Sequence, residues 1–493
     1  MAGVRRLSWE RLAFLLVAAL TIARFVITPF VPLSFDEAYY WRWSQNLAFG
    51  YLDHPPLIAW IIRFGTGIFG DTLFGIRFVP LLGGVAATWA VWRAADILFK
   101  DRRLAALAAV FFSFTLIVSV GTILATPDAP LLAASAFLLL FLAKVLTTTG
   151  RPVWWIAAGA AVGIGCLAKF TAMFWLPSIF LWALLVPELR RQLRTPWPWA
   201  GAAVAALIYL PNFIWNAQNG WMTFIKQFGR VDDGNGLQLG YLAEHLGAQI
   251  GMSTLVVFFL GWIGLIAFLG GRGGTHGVRV LLSLMVWPAT AYFIFHGLHA
   301  RVEGNWTGLI FPAFSVAAAA AVLGIDWRGR TGWFVNRFAP LAIPVGIIFV
   351  VGIYAQALVG WAPLGASDPT ASNIGAGMET VAAEVDAMRI AAGAEVVLTT
   401  GYALASWLSY YLPSRPPVLE PNEPDRWLQE EPPDPSVLDG PALAVVREGE
   451  GLRRLEELWG TATLIGSVVR RRGSLTIATY DVYRLPGPQV ATR

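Results

Sequence analysis

Residues 12–31 read LAFLLVAALTIARFVITPFV, with Arg24 the one charged side chain among them. The hydrocarbon core of a bilayer is about 30 Å thick, so a helix rising about 1.5 Å per residue needs roughly 20 apolar residues to cross it. This run has that length. It is too long for the apolar stretch of a cleavable leader, and no small-residue cleavage pattern precedes Phe35, so it reads as a first transmembrane helix.

Outward from it, apolar runs recur at about 72–99, 103–123, 130–147, 152–168, 170–187, 198–216, 248–270, 280–296, 307–325 and 338–360, which makes eleven predicted spans. The composition agrees: 56% of the 493 residues are hydrophobic and 14% are charged, against the ~25% charged of a soluble domain. Mean hydropathy is +0.59. The net charge of +5 does not point to nucleic acid, because most Lys and Arg before the tail lie between apolar runs, where they orient a membrane protein. The single cysteine, Cys166, excludes an intramolecular disulfide and reads as a packing residue.

With the N-terminus cytoplasmic, alternate loops hold Arg5, Arg6 and Arg11; Lys100, Arg102 and Arg103; Arg151; Arg190, Arg191 and Arg194; Arg272 and Arg279; and Arg328, Arg330 and Arg337. That matches the positive-inside rule. The opposite loops hold Asp36, Glu37, Asp53 and His54; Asp128; Asp232 and Asp233; and His296, His299, Arg301 and Glu303. Acidic and histidine chemistry therefore gathers on the outer face. After Trp361 the chain becomes Pro-rich and charged, with patterns at 395–400, 402–412, 442–446, 452–459 and 474–483 that read as a small soluble α/β domain. The expected division is 1–361 for the membrane domain, with interfacial helices at 34–71, and 362–493 for a periplasmic domain that covers the outer face or closes a site there.

The first outer loop is the most informative segment. Ser34-Phe35-Asp36-Glu37-Ala38-Tyr39-Tyr40-Trp41-Arg42-Trp43-Ser44 predicts an interfacial helix with an acidic start, on which Asp36 and Glu37 point to different sides, so that one can face a substrate while the other caps or pairs. Asp53-His54-Pro55-Pro56 is a rigid entry into the run 57–69, which is too short to span. In Thr126-Pro127-Asp128-Ala129-Pro130 the carboxylate is either a helix cap or a site residue at the bilayer edge. Lys169 and Arg24 either snorkel to the interface or meet a lipid phosphate. His296, His299, Arg301, Glu303, Asn305 and Trp306 form a polar cluster suited to hydrogen bonding or phosphate; a divalent metal is conceivable, but no spacing is diagnostic of one and no cofactor is demanded.

Together the Asp36-Glu37-Ala38-Tyr39-Tyr40-Trp41 loop, the Asp53-His54-Pro55-Pro56 turn, the Thr126-Pro127-Asp128 turn and the Glu303-Gly304-Asn305-Trp306 segment resemble those of bacterial family 39 glycosyltransferases. That group is similar to protein O-mannosyltransferases and lipid A aminoarabinose transferases and has the GT-C fold. The resemblance implies transfer of a sugar from a polyprenyl-phosphate donor to a periplasmic acceptor in the bacterial inner membrane, the acceptor being a glycan, a lipid such as lipopolysaccharide, or a protein. It implies Asp36 as the catalytic carboxylate, with Glu37 and Asp128 supporting it. Lys169 resembles a basic position for donor phosphate; Tyr40, Asp53, His54, His299, Arg301, Glu303 and Asn305 are the expected substrate-binding residues. A transporter or lipid flippase is the alternative reading; it would place paired charges at the midplane and broken helices in two repeated halves.

Overall fold

The computed structural model describes residues 8–148, 151–229 and 236–487. Arg5, Arg6, Asp232 and Asp233 lie outside the described residues. The chain divides into two compact units: Met1–Val26, Asp53–Ile58 and Arg77–Gly352 form the first, and Ile27–Leu52, Ala59–Ile76 and Ile353–Arg493 the second.

The first unit is helical and carries the membrane-crossing segments. Among the described residues seven helices are long and apolar enough to cross a bilayer, and an eighth if the bent pair Leu239–Ser253 and Leu255–Leu269 is taken as one span. Four of the eleven predicted runs thus differ from a straight, full-length span. The run at 103–123 breaks at Thr115, whose backbone is extended and whose hydroxyl bonds Phe112 O at 2.7 Å. The runs at 152–168 and 170–187 form the shorter apolar helices Val153–Ala168 and Phe170–Leu185. The run at 248–270 bends by 101° at Thr254, whose φ of 64° no helix accommodates. Leu57–Phe69 is a helix of 13 residues, shorter than a span, as expected of it.

Small residues set the packing between these helices. A Cβ on Gly159 would lie 1.9 Å from Gly201 O, so Val153–Ala168 and Pro196–Gln218 approach backbone to backbone. Gly264 meets Ala317 O in the same way, a Cβ there falling 2.2 Å from it, which seats Leu255–Leu269 on the buried, alanine-rich Phe311–Leu323. Elsewhere Phe14, Ile22 and Val26 stand exposed along Trp9–Ile27, as lipid-facing side chains do.

The second unit contains a five-stranded sheet: β1 (Val396–Leu398), β2 (Val418–Leu419), β3 (Ala442–Arg447), β4 (Thr463–Arg472) and β5 (Leu475–Leu485). The order is β2-β1-β3-β5-β4, parallel across the first three strands and antiparallel from β3 onward. The α/β character read from the tail is present. Sequence patterning missed β4 and the helix Met378–Ala391. β4 lies at the sheet edge and ends in Arg470-Arg471-Arg472, so it lacks an apolar signature. Gly473, at φ 59°, makes the tight turn that returns β4 into β5.

The start of the first loop is built into this unit. Ser34 bridges Ile374 antiparallel, Gly375 N donates to Leu33 O at 2.7 Å, and Trp407 Nε1 donates to the same carbonyl at 3.1 Å. A Cβ at Gly375 would sit 2.8 Å from Leu33 O, so this crossing requires glycine.

Candidate active site

Asp128 is the first residue of the helix Asp128–Thr147; Pro127 precedes it and makes no side-chain cap bond. The Asp128 carboxylate is not used as a cap either. Oδ1 accepts from Lys169 Nζ at 2.8 Å and Oδ2 from Asn305 Nδ2 at 2.7 Å. Lys169 owes its reach to a break in the chain: it ends Val153–Ala168 in an extended conformation, before the 3-10 turn Phe170–Phe174. Asn305 sits in a second 3-10 turn, Gly304–Ile310. Both charged side chains are buried, at 4% and 7% exposure, so Lys169 is not snorkelling to an interface. A buried pair like this is held by mutual attraction plus added hydrogen bonds, and stranding one partner typically costs about 3–5 kcal/mol. The start of a helix, its partly positive end, favours the carboxylate further.

The Asp53 turn is a second anchored carboxylate in the same unit. Lys226 Nζ lies 2.8 Å from Asp53 Oδ1, and Gln227 Nε2 donates to Asp53 O at 2.6 Å. Both partners come from the short helix Met222–Phe228, which follows Trp221 in a left-handed conformation. His54 is half-buried beside this turn. Arg24 is buried, and its Nη1 donates to Thr122 Oγ1 at 3.1 Å.

The polar cluster at 296–306 separates into two environments. His296 is buried, its ring edge-on to Trp306 at 5.5 Å. His299, Arg301 and Glu303 remain toward solvent: His299 Nδ1 meets Phe295 O of its own turn at 2.8 Å, and Arg301 binds Glu244 at 2.5 Å with Glu303 at 3.9 Å. The charge of Arg301 is thereby compensated by two carboxylates, a poorer arrangement for phosphate than the sequence suggested. Asn305 is the one expected binding residue of this segment that joins Asp128. Among the described residues no three His, Cys, Asp or Glu side chains gather as a metal site would.

In the second unit Asp36 and Glu37 take different roles on the helix Phe35–Gln45. Glu37 completes a capping box: its N–H donates to Ser34 Oγ at 3.1 Å and its carboxylate accepts from Ser34 N at 3.0 Å, fully buried. Asp36, next in line on the first turn, is only partly buried. Tyr40 is buried among aromatic rings, edge-on to Trp43 at 4.9 Å. Arg42 binds Glu430 and lies 4.0 Å over the Trp427 ring.

Sequence reasoning passed over Lys226, Gln249, Thr307 and the fully buried Arg77. Arg77 had a signal, an ionisable residue inside an apolar run. The other three become meaningful only through partners distant in sequence.

Comparisons with known proteins bear on the fold that carries these residues. Residues 53–215 match the family described as dolichyl-phosphate-mannose-protein mannosyltransferase. Lipid A galacturonosyltransferase RgtD of Rhizobium johnstonii is 28% identical over 353 residues, 69% of this chain and 72% of its own length. An undecaprenyl phosphate-alpha-4-amino-4-deoxy-L-arabinose arabinosyl transferase of Pseudomonas fluorescens is 28% identical over 35% of this chain and 32% of its own length. Among solved structures, ArnT from Cupriavidus metallidurans bound to undecaprenyl phosphate superimposes with a TM-score of 0.65 at 16% identity, covering 97% of this chain and 99% of that one. The chain has the GT-C fold. The Archaeoglobus fulgidus oligosaccharyltransferase shares that GT-C fold more distantly, with a TM-score of 0.55 at 15% identity over 89% of this chain and 68% of that one. The resemblance to GT-C glycosyltransferases drawn from the loop motifs is thus matched by what the chain is similar to, and the chain is a multi-pass membrane protein with the GT-C fold.

Proposed function

We propose that this GT-C chain is a membrane glycosyltransferase that moves a sugar from a polyprenyl-phosphate donor to a lipid A-type envelope acceptor. The observation that carries the reading is the buried Asp128, Lys169 and Asn305 group in a chain of this fold. Among the described residues Lys169 is held by one carboxylate, with two of its three N–H donors left for another acceptor. A phosphate oxygen suits that role.

In this reading Asp36 removes the proton from the acceptor hydroxyl as its oxygen bonds to the anomeric carbon. The bond from that carbon to the phosphate oxygen breaks on the opposite face, and the polyprenyl phosphate leaves already ionised. It needs cationic stabilisation and no acid, and Lys169 supplies it. Glu37 fixes the helix start that presents Asp36. Asp53, His54 and Tyr40 shape the loop, while His299, Arg301 and Glu303 lie toward the acceptor side. The basic loops face the cytoplasm, and the outer loops with the tail face the periplasm.

For the sugar, we favour a hexuronic one, since the galacturonosyltransferase is matched over 72% of its own length, against 58% for an arabinosyl transferase of Proteus mirabilis and 32% for that of Pseudomonas fluorescens. Mass spectrometry of lipid A from a Gram-negative host expressing the chain, against the same host with Asp36→Asn, tests both levels. A hexuronosyl increment only with the unaltered chain is the expected result. A pentosyl increment would correct the sugar, and unmodified lipid A and envelope glycans in both strains would remove the function.

A further inference from the structure

The turn that brings Asn305 to Asp128 is itself held from one side by a single amide. Gln249 Nε2 donates to Gly304 O at 2.9 Å, and Gln249 Oε1 accepts from Thr307 Oγ1 at 2.7 Å. Thr307 Oγ1 also lies 3.3 Å from Gly304 O, so the amide, the hydroxyl and the carbonyl close a small ring across the 3-10 turn Gly304–Ile310. Asn305 is carried between those two bonded positions. We propose that Gln249 is a positioning residue for Asp128: it fixes the turn whose Asn305 amide holds one carboxylate oxygen while Lys169 holds the other.

Three observations make the amide a rigid strut. Gln249 is 9% exposed and Thr307 2%, so bulk water has little access to these bonds. Gln249 and Thr307 also line a cavity of about 210 Å³ whose wall is mainly apolar, with Leu246, Phe258, Trp262 and Ile294 outnumbering polar groups such as His245 and Thr290, so a swung-out amide would find few partners there. The helix that carries Gln249 stops at Ser253, just before the 101° bend, so the strut stands at the end of a rigid element. A 3-10 turn has weaker internal hydrogen bonds than an α-helix and depends more on such side support. On this account the amide sets where the carboxylate sits, and with it where the Lys169 ammonium points, without touching substrate.

The inference rests on the proposed donor, and its test separates the two. Gln249→Leu, which removes both bonds, and Gln249→Glu, which keeps the bond from Thr307 and loses the one to Gly304, are prepared in the full-length protein, with Asn305→Ala and the double variant. Hydrogen exchange without ligand is read first: Gln249→Leu should speed exchange in peptides covering 304–310 at least several-fold, with those of Phe311–Leu323 unchanged. Undecaprenyl phosphate binding is read second. Gln249→Leu should weaken it about tenfold, the loss of two neutral buried bonds, Gln249→Glu should weaken it less, and Gln249→Leu should add under about twofold in the Asn305→Ala background. Unaltered exchange at 304–310 overturns the proposal, and so does a fully additive double variant. If the unaltered protein binds no undecaprenyl phosphate, the donor assignment falls, and the exchange result alone decides for or against Gln249.

Discussion

Lys169 Nζ lies 2.8 Å from Asp128 Oδ1, two side chains forty-one positions apart that are each almost wholly withdrawn from solvent. Neither is stable there alone. Asp128→Asn or Lys169→Ala should each destabilise the purified protein by about 3–5 kcal/mol, and the double variant by less than the sum. Thermal melting of the four forms in detergent checks this, and additive losses would mean the pair is not coupled.

Lys169 should also act on the donor lipid. Lys169→Ala is expected to weaken undecaprenyl phosphate binding, and Lys169→Arg to retain part of it because the charge persists. Equal affinity in all three forms would leave the lysine a purely structural partner of Asp128.

Asp36→Asn keeps size and removes basicity. Transfer should fall at least about 100-fold with the melting temperature little changed. Glu37→Gln, by contrast, weakens the capping box by about 0.5–2 kcal/mol and should lower stability more than it lowers turnover. The reversed pattern in melting and rate would exchange the two roles.

Acid should loosen the second unit. Burial raises the Asp368 and Asp386 carboxyls, but hydrogen bonds outweigh it, from Arg472, Gln356 and Thr370 for the first and from Ser414 and Arg389 for the second, so both sit below the usual carboxylate range. Their stabilisation is complete above the unfolded value of about 3.9 and is lost as pH falls below it through the lowered folded values. Burial holds Glu420 above its ordinary value despite bonds from Trp427, Asn422 and Glu423, and its contribution runs the other way, present below the unfolded value and lost as pH rises. Hydrogen exchange in tail peptides of the full chain should therefore accelerate below about pH 4, and Asp386→Asn should flatten that change.

Topology is tested by labelling. In a Cys166→Ala background, a membrane-impermeant thiol reagent applied to spheroplasts should modify Gly440→Cys and leave Arg191→Cys and Arg330→Cys untouched. Modification at 191 from outside would invert the orientation, and the tail would no longer lie on the face of the donor sugar.

The apolar runs by themselves determined that this is a polytopic membrane protein, because a bilayer demands length and apolarity, both properties of contiguous sequence. Asp128 and Lys169 were likewise visible as ionisable residues in turns too short to need them for solubility. Their contact was not, because either residue also reads as a cap or a snorkelling side chain until a partner is in place. Tertiary structure decided that Glu37 caps its helix, that Asn305 leaves the His299 and Arg301 segment to join Asp128, and that Gln249 braces the turn beneath it. It also decided where runs break: Thr115 and Thr254 look like ordinary positions in apolar text, and the helix ends there once packing fixes an extended or left-handed backbone. Edge strand β4 escaped for a related reason, since a strand paired on one side and carrying three arginines has no period of its own. Local pattern reports the solvent each segment needs, whereas a hydrogen bond between residues dozens or hundreds of positions apart exists only once the fold has brought both ends together.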